Sequence, residues 1–184
     1  MVRSMITTVI NPFDGLISRY FVTLDPVLNS YYELAAPITF TGDYSIAFDV
    51  FFDGSFVSVV GNTVDFNGRV SIFEDGSINW RPESSSTTTS LSPAASVPEN
   101  KLSKIKLVRT GATGNIFVNG VLVYSSSSVA TGTLNIQSLG RVSGSYSDCI
   151  IANAKFTDKS GASDVVTTFK LDNSPAAANY TYST

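Results

Sequence analysis

Near the middle of the chain, the ten residues NIFVNGVLVY, Asn115 to Tyr124, write out a β-hairpin. Two short runs of Ile, Phe, Val, Leu and Tyr flank Asn119-Gly120. An Asn-Gly pair between alternating apolar residues is the strongest short-range hairpin signal. The reason is geometric: a type I′ turn needs φ > 0 at both central residues, which Asn and Gly tolerate and which matches the twist of paired strands. A chain organised around such a unit must find a second layer to cover the hairpin's apolar face.

The same period of two recurs along the chain. Between Tyr44 and Phe52, the residues Ile46, Phe48, Val50 and Phe52 share one parity and Ser45, Ala47 and Asp49 the other, the pattern of a half-buried strand. Asp53-Gly54 then turns the chain. Phe56 to Val60 and Arg69 to Phe73 flank Asn67-Gly68, and Asp75-Gly76 leads from Val70-Ile72 to Ile78-Trp80, which predicts two consecutive hairpins. Lys104 to Arg109 sets Ile105 and Leu107 on one face and Lys104 and Lys106 on the other. Lysines so placed read as a solvated face or a guarded sheet edge in preference to an anion site. Further strands are expected at Tyr20 to Leu24, Tyr31 to Leu34, Thr133 to Gln137, Ile150 to Phe156 and Val165 to Leu171. No segment carries apolar residues at i, i+3, i+4 and i+7 over three turns. The expected fold is all-β, a two-sheet antiparallel β-sandwich or jelly roll.

With 184 residues the chain is long enough for one domain with a full core. Residues 1–19 read as an arm or docking segment, 20–174 as the sandwich and 175–184 as a C-terminal extension. The Ser/Thr/Pro-rich run from Pro82 to Asn100 reads as a solvated excursion too polar to pack, ahead of a binding loop. Charged residues make up only 15% of the chain, and Ser and Thr about a quarter, a surface common in secreted β-proteins and virion components. A net charge of −3 gives no electrostatic footprint for nucleic acid. No apolar run approaches the roughly 18 residues of a membrane span, so no membrane insertion is expected. The start, MVRSMITTVINPF, lacks the apolar core and small-residue cleavage site of a secretory signal, so export by that route is not expected. With one cysteine, Cys149, and no histidine, an intramolecular disulfide and Cys₂His₂-type zinc sites are excluded. Cys149 precedes Ile150-Ile151 in a strand-like run and reads as a small buried hydrophobe.

Several segments taken together resemble the laminin-G-like, concanavalin A-like lectin/glucanase superfamily. They are the strand KIKLVR, the turn TGATG, the hairpin NIFVNGVLVY and the later LNIQSLGRVSGSYSDCIIANAKFTD. The family's strand ending in Arg, its V-N-G-x-x-V hairpin, its L-x-I-G-R strand and its G-x-I-x-x-V-x-x-x-D strand are matched at Ile116 to Val123, Leu134 to Arg141 and Asp148 to Asp158. Ser138-Leu139 is inserted before Gly140, and Asp148-Cys149 stands where the family commonly has Gly-Tyr or Gly-Cys. YYELAAPITFTGDYSIAFDVFF is similar to the family's opening strands. The resemblance covers residues 20–172 and implies the sandwich. It does not imply an activity, because the superfamily holds lectins, glycosidases, adhesion domains and structural modules. Stand-alone domains with this surface resemble most those of bacteriophage virion proteins, such as tail fibres and decoration proteins.

Enzymatic chemistry is not expected. The glucanase branch needs two carboxylates about 5 Å apart along one strand, in an E-x-D-x-E or E-x-D-x-x-E pattern. The four glutamates, Glu33, Glu74, Glu83 and Glu99, do not form it, and Glu74-Asp75-Gly76 reads as a turn. Without histidine there is no Ser-His-Asp or Cys-His nucleophile, and no G-x-S-x-G or P-loop occurs. No cofactor is expected; a calcium ion at the sandwich rim would draw on Asp43, Asp53, Asp65 or Asp148, each equally read as a turn residue. Sugar binding needs an aromatic platform beside hydrogen-bonding groups. The candidates are Trp80 with Asn79 and Arg81, and Arg141, Tyr146 and Asp148. Trp80 shares the parity of Ile78, which favours core packing over exposure, whereas Tyr146 lies in a Gly/Ser-rich run. The expectation is a non-enzymatic virion surface module binding host-surface polysaccharide beside other virion proteins, with a homotrimer common in such assemblies. The alternatives are a structural decoration or cement protein without glycan binding, and an extracellular lectin.

Overall fold

The computed structural model describes residues 22–24, 31–62, 67–84, 90–143, 145–146, 149–169 and 180–183. Among them are sixteen strands and no helix. In chain order these are β1 (Val22–Leu24), β2 (Tyr31–Phe40), β3 (Tyr44–Phe52), β4 (Val57–Gly61), β5 (Arg69–Ile72), β6 (Ile78–Arg81), β7 (Ser90–Leu91) and β8 (Lys101–Thr110). There follow β9 (Thr113–Val118), β10 (Val121–Ser126), β11 (Leu134–Leu139), β12 (Arg141–Val142), β13 (Ser145–Tyr146), β14 (Cys149–Asp158), β15 (Val165–Phe169) and β16 (Tyr180–Ser183).

They form two antiparallel seven-stranded sheets in a β-sandwich of the jelly-roll type. The first sheet runs β1-β14-β3-β8-β9-β10, with β15 also on β14; the second runs β16-β2-β11-β4-β5-β6-β7. A short β12-β13 hairpin stands apart from both. The period-2 reading fixes which residues meet between the layers. On β3, Tyr44, Ile46, Phe48, Val50 and Phe52 are buried, and on β8 Ile105 and Leu107 join them. The second sheet answers with Val60, Val70, Ile72, Ile78, Trp80, Leu134 and Ile136. Each such side chain contributes about 1.5–3 kcal/mol on burial. Asn119 (φ 53°) and Gly120 (φ 83°) form the expected two-residue turn, with Val118 opposite Val121.

One end of the sandwich is tied by a buried cation. Arg109 is only 1% exposed and its guanidinium lies 4.6 Å from the centre of the Tyr44 ring. One Nη donates to the carbonyls of Pro82 (3.0 Å) and Gly132 (2.7 Å), and the other to the carbonyl of Gly42. Tyr44 donates its own hydroxyl to the Pro82 carbonyl at 2.9 Å. Burial raises the Tyr44 hydroxyl well above the ordinary tyrosine value, against the lowering influence of Arg109. Trp80 meets Tyr44 edge-on, with ring centres 6.2 Å apart. Its ring is admitted by a gap on β9: a Cβ at Gly114 would lie 2.9 Å from the Trp80 ring.

Three sequence expectations change. The Pro82 to Asn100 run is not merely a solvated excursion: Ser90–Leu91 pairs with β6 as β7, and Val97 enters the core. Its polarity was no barrier, because Ser92 Oγ accepts the Ile78 N–H at 2.8 Å. The lysine strand β8 lies between β3 and β9, so it is no guarded edge; the solvated-face reading stands. Within the expected C-terminal extension, Tyr180–Ser183 pairs with β2 as a sheet edge. The expected arm, residues 1–19, lies outside the described residues.

Arg109→Ala is expected to cost about 3–5 kcal/mol in urea unfolding, because three carbonyls lose a donor together. Arg109→Lys should recover only part of this, since an ammonium cannot reproduce the planar fork. A second expectation concerns Asp75, whose carboxylate accepts Ser77 Oγ (2.6 Å) and N–H (2.9 Å) and is thereby held below its ordinary range. A depressed folded value means that the turn is fully supported above the unfolded value of about 3.9, and loses support as pH falls through the folded one. Amide exchange at Ser77 should accelerate over that acid window in the parent and not in Asp75→Asn.

Candidate functional site

Where one face of a sheet packs on the core, the opposite residues of the same strands meet solvent. On the first sheet the outward positions of four adjacent strands form an open groove of about 380 Å³. Its lining includes Ala47 and Asp49 from β3, Lys104 and Lys106 from β8, Phe117 from β9 and Asn153 from β14. Pairing accounts for the arrangement: Ala47 is opposite Lys106, which is opposite Phe117, and Asp49 is opposite Lys104. Ala47 is the small residue of its row, so the space above it is left open between longer neighbours.

Asp49 is only 6% exposed, and Asn153 donates its amide to the Asp49 carboxylate at 2.6 Å. Asn153 reaches it from a break in the β14 register between Ala152 and Lys155, where its φ is 52°. A bulge of this kind re-aims a side chain that regular pairing would place elsewhere. Lys104 is held through its backbone. Asn119 donates its N–H to the Lys104 carbonyl at 2.8 Å, and its side-chain oxygen accepts the Lys104 N–H at 2.8 Å. The Asn119 side chain thus supplies the acceptor for the Lys104 N–H beside the turn. Phe117 is half-buried beside Leu122, its partner on β10, which is exposed. The groove thus joins an apolar shelf to a hydrogen-bonding pair and two ammonium groups, the combination that ligand clefts use for orientation.

The sequence candidates lie elsewhere. Trp80 is 0% exposed and packed in the core, so it offers no ring face; Asn79 is buried beside it. Arg81 is half-buried and donates to Asn67 Oδ1 at 2.7 Å. Its register neighbour Arg69 is lowered to about 10, chiefly by burial and then by the charge of Arg81. Arg141 and Tyr146 are brought opposite each other by the β12-β13 pairing. Arg141 sits 4.6 Å over the Tyr31 ring and donates Nε to the Ser143 carbonyl at 2.6 Å. This hairpin seats on β4, where Gly61 leaves room for Val142. Asp148 lies outside the described residues, as does Asp65. Of the calcium candidates, Asp43 accepts the Gly111 N–H at 2.7 Å and Asp53 the Ser55 N–H at 2.9 Å. No group of three or more His, Cys, Asp or Glu able to hold a metal ion occurs among the described residues.

Sequence reasoning marked Lys104, Lys106, Ala47 and Asp49 as outward but not as neighbours. The alternation within each strand was the available signal; the β3-β8 pairing that joins them was not.

No protein-family model matches the chain, and no curated protein matches it in sequence. Solved structures do. A protein of Bacteroides ovatus with an inferred carbohydrate-binding role matches at a TM-score of 0.62 and 13% identity, over 87% of this chain and 56% of that one. The chain therefore spans little more than half the length of that protein. A carbohydrate-binding module of Bacillus subtilis, CBM66, matches at 0.44 and 12% identity, over 71% of this chain and 89% of that one. A Trypanosoma rangeli sialidase matches at 0.47 and 12%, over 73% and 26%. The last two scores are too low to carry an argument; the first supports the two-sheet sandwich.

Asn153→Asp is expected to set two carboxylates against each other and raise one of them above its unfolded value. A raised folded value gives stability that is present at low pH and lost as pH rises. The variant should therefore melt higher at about pH 5 than at about pH 7, relative to the parent, by differential scanning fluorimetry.

Proposed function

We propose that this chain is a non-enzymatic glycan-binding module that takes a polysaccharide across the outer face of the first sheet. The observation that carries the reading is the groove over Ala47, with Phe117 as an apolar shelf and Asp49, Asn153 and the lysines as polar partners. Sugars present alternating apolar ring faces and hydroxyls, which such a combination fits. The non-enzymatic part is supported by carboxylate arithmetic. Glycoside hydrolysis needs two carboxyl groups, about 5–5.5 Å apart for retention or about 6.5–9.5 Å for inversion. Asp49 is the one carboxylate that lines this groove.

The setting we propose is the surface of a bacteriophage virion, with host-surface polysaccharide as ligand and other virion proteins, or two further copies of this chain, as neighbours. Low charge, abundant Ser and Thr and the laminin-G-like segments support that setting. Co-purification with an assembled particle tests it; recovery only as a free secreted protein would favour an extracellular lectin.

A glycan array tests the binding reading. Ala47→Trp should fill the groove and abolish binding with an unchanged melting temperature, and Phe117→Ala should weaken it by about 1–2 kcal/mol through the lost shelf. Binding that survives both changes but is lost in Tyr146→Ala would move the site to the β12-β13 hairpin. No binding to any glycan would sink the reading and favour a structural cement or decoration role.

A further inference from the structure

We infer that the glycan taken by this groove is acidic, a polysaccharide bearing carboxylate or sulfate groups. This deepens the glycan-binding reading and rests on it.

Three lysines share the outer face. Lys104 and Lys106 are two positions apart on β8, so their Cα atoms stand about 7 Å apart. Lys155 on β14 is opposite Ala47, which is opposite Lys106, so Lys155 and Lys106 stand two strand spacings apart, about 10 Å, across the open floor. All three side chains are exposed. None of the three makes an ion pair with a described residue; the ion pair seen among those residues is Lys159 with Asp164, in the connection after β14.

The balance of charge on this face is one-sided. Across the outward positions of β3, β8, β9 and β14, the one carboxylate is Asp49. It is 6% exposed and engaged by Asn153, so what the face presents to an approaching ligand is three ammonium groups. This occurs on a chain of net charge −3, against the sign of the whole molecule. A solvated lysine face on a sheet ordinarily alternates with acidic cross-strand partners, which contribute to pairing. Here Lys104 has Asp49 opposite it, but the positions opposite Lys106 are Ala47 and Phe117, and Lys155 faces Ala47. Lysine and not arginine suits this use: a compact, mobile point charge meets anionic groups spaced along a polymer without demanding one bidentate geometry. Asn153, exposed at one end of the groove, offers an amide for hydrogen bonds to sugar hydroxyls.

The test measures binding of the intact chain by calorimetry and affinity electrophoresis. The probes are polygalacturonate, its fully methyl-esterified form, hyaluronate, dextran sulfate and neutral dextran. Binding to one or more acidic polymers is expected, weakened at least tenfold between about 0.1 M and about 1 M NaCl as the Debye length shrinks from about 10 Å to about 3 Å. Lys104→Gln, Lys106→Gln and Lys155→Gln should each cost about two- to fivefold, and the triple variant should lose salt-sensitive binding, all without a change in melting temperature. Lys159→Gln, away from the groove, should bind like the parent. Preference for polygalacturonate over dextran sulfate assigns a carboxylated ligand, and the reverse assigns a sulfated one. Equal, salt-insensitive binding of the esterified and free polymers overturns the acidic class and leaves the glycan reading standing. Equal loss in Lys159→Gln overturns the site. Failure of every acidic probe, with binding found on a neutral array, overturns this inference alone; failure on both overturns the glycan reading with it.

Discussion

The interaction on which the rest of this sandwich depends is the burial of Arg109. A guanidinium taken out of water is costly unless its donors are used, and here they are spread over the carbonyls of Gly42, Pro82 and Gly132. Those carbonyls belong to three different connections, after β2, after β6 and after β10, so one side chain holds segments from both sheets in a common position. Glu83 adds to the arrangement by accepting the Gly132 N–H. The Tyr44 ring lies against the cation, and Phe40 stacks on Tyr44 with ring centres 4.7 Å apart. The polar tie and the aromatic core are therefore one structure, and its loops cannot vary independently of one another.

The candidate site lies toward the other end of the same strand. Along β8, Arg109 pairs with Gly114, and Lys104 is bound by Asn119 at the hairpin tip. Inward and outward residues of a single ten-residue strand thus serve different ends: Ile105, Leu107 and Arg109 organise the interior, while Lys104 and Lys106 face solvent. Asn119 links the two roles, since the turn it makes possible is also what holds the Lys104 backbone in place.

Much of this was legible in the sequence because it is local. Strand parity, the Asn-Gly turn and the meander from β4 to β6 follow from neighbours along the chain. The groove was not, because Ala47, Lys106 and Asn153 come from separate segments and become neighbours only through pairing. The bulge at Asn153 was hidden for a further reason: Ala152, Asn153, Ala154 and Lys155 read as an unbroken alternation, and the bulge shows only in the register shift against β3 and the positive φ of Asn153. Trp80 and Arg81 drew attention as an aromatic next to a cation, yet their adjacent positions send them to opposite sides of a strand. The polar run before β8 misled because Ser90 and Ser92 are buried, and Ser92 satisfies a backbone N–H inside the fold instead of facing water.

The alternation along β3 sets how such a protein can change over time. Ala47 and Asp49 project away from the layer of Ile46, Phe48 and Val50, so residues of the candidate groove can be exchanged without repacking the interior. Inserting one residue into the same strand, without a bulge like that at Asn153 to absorb it, would send the apolar set outward and the polar set inward along everything beyond it. A lineage built on this frame is accordingly freer to vary its outer face by substitution than to vary the length of its strands.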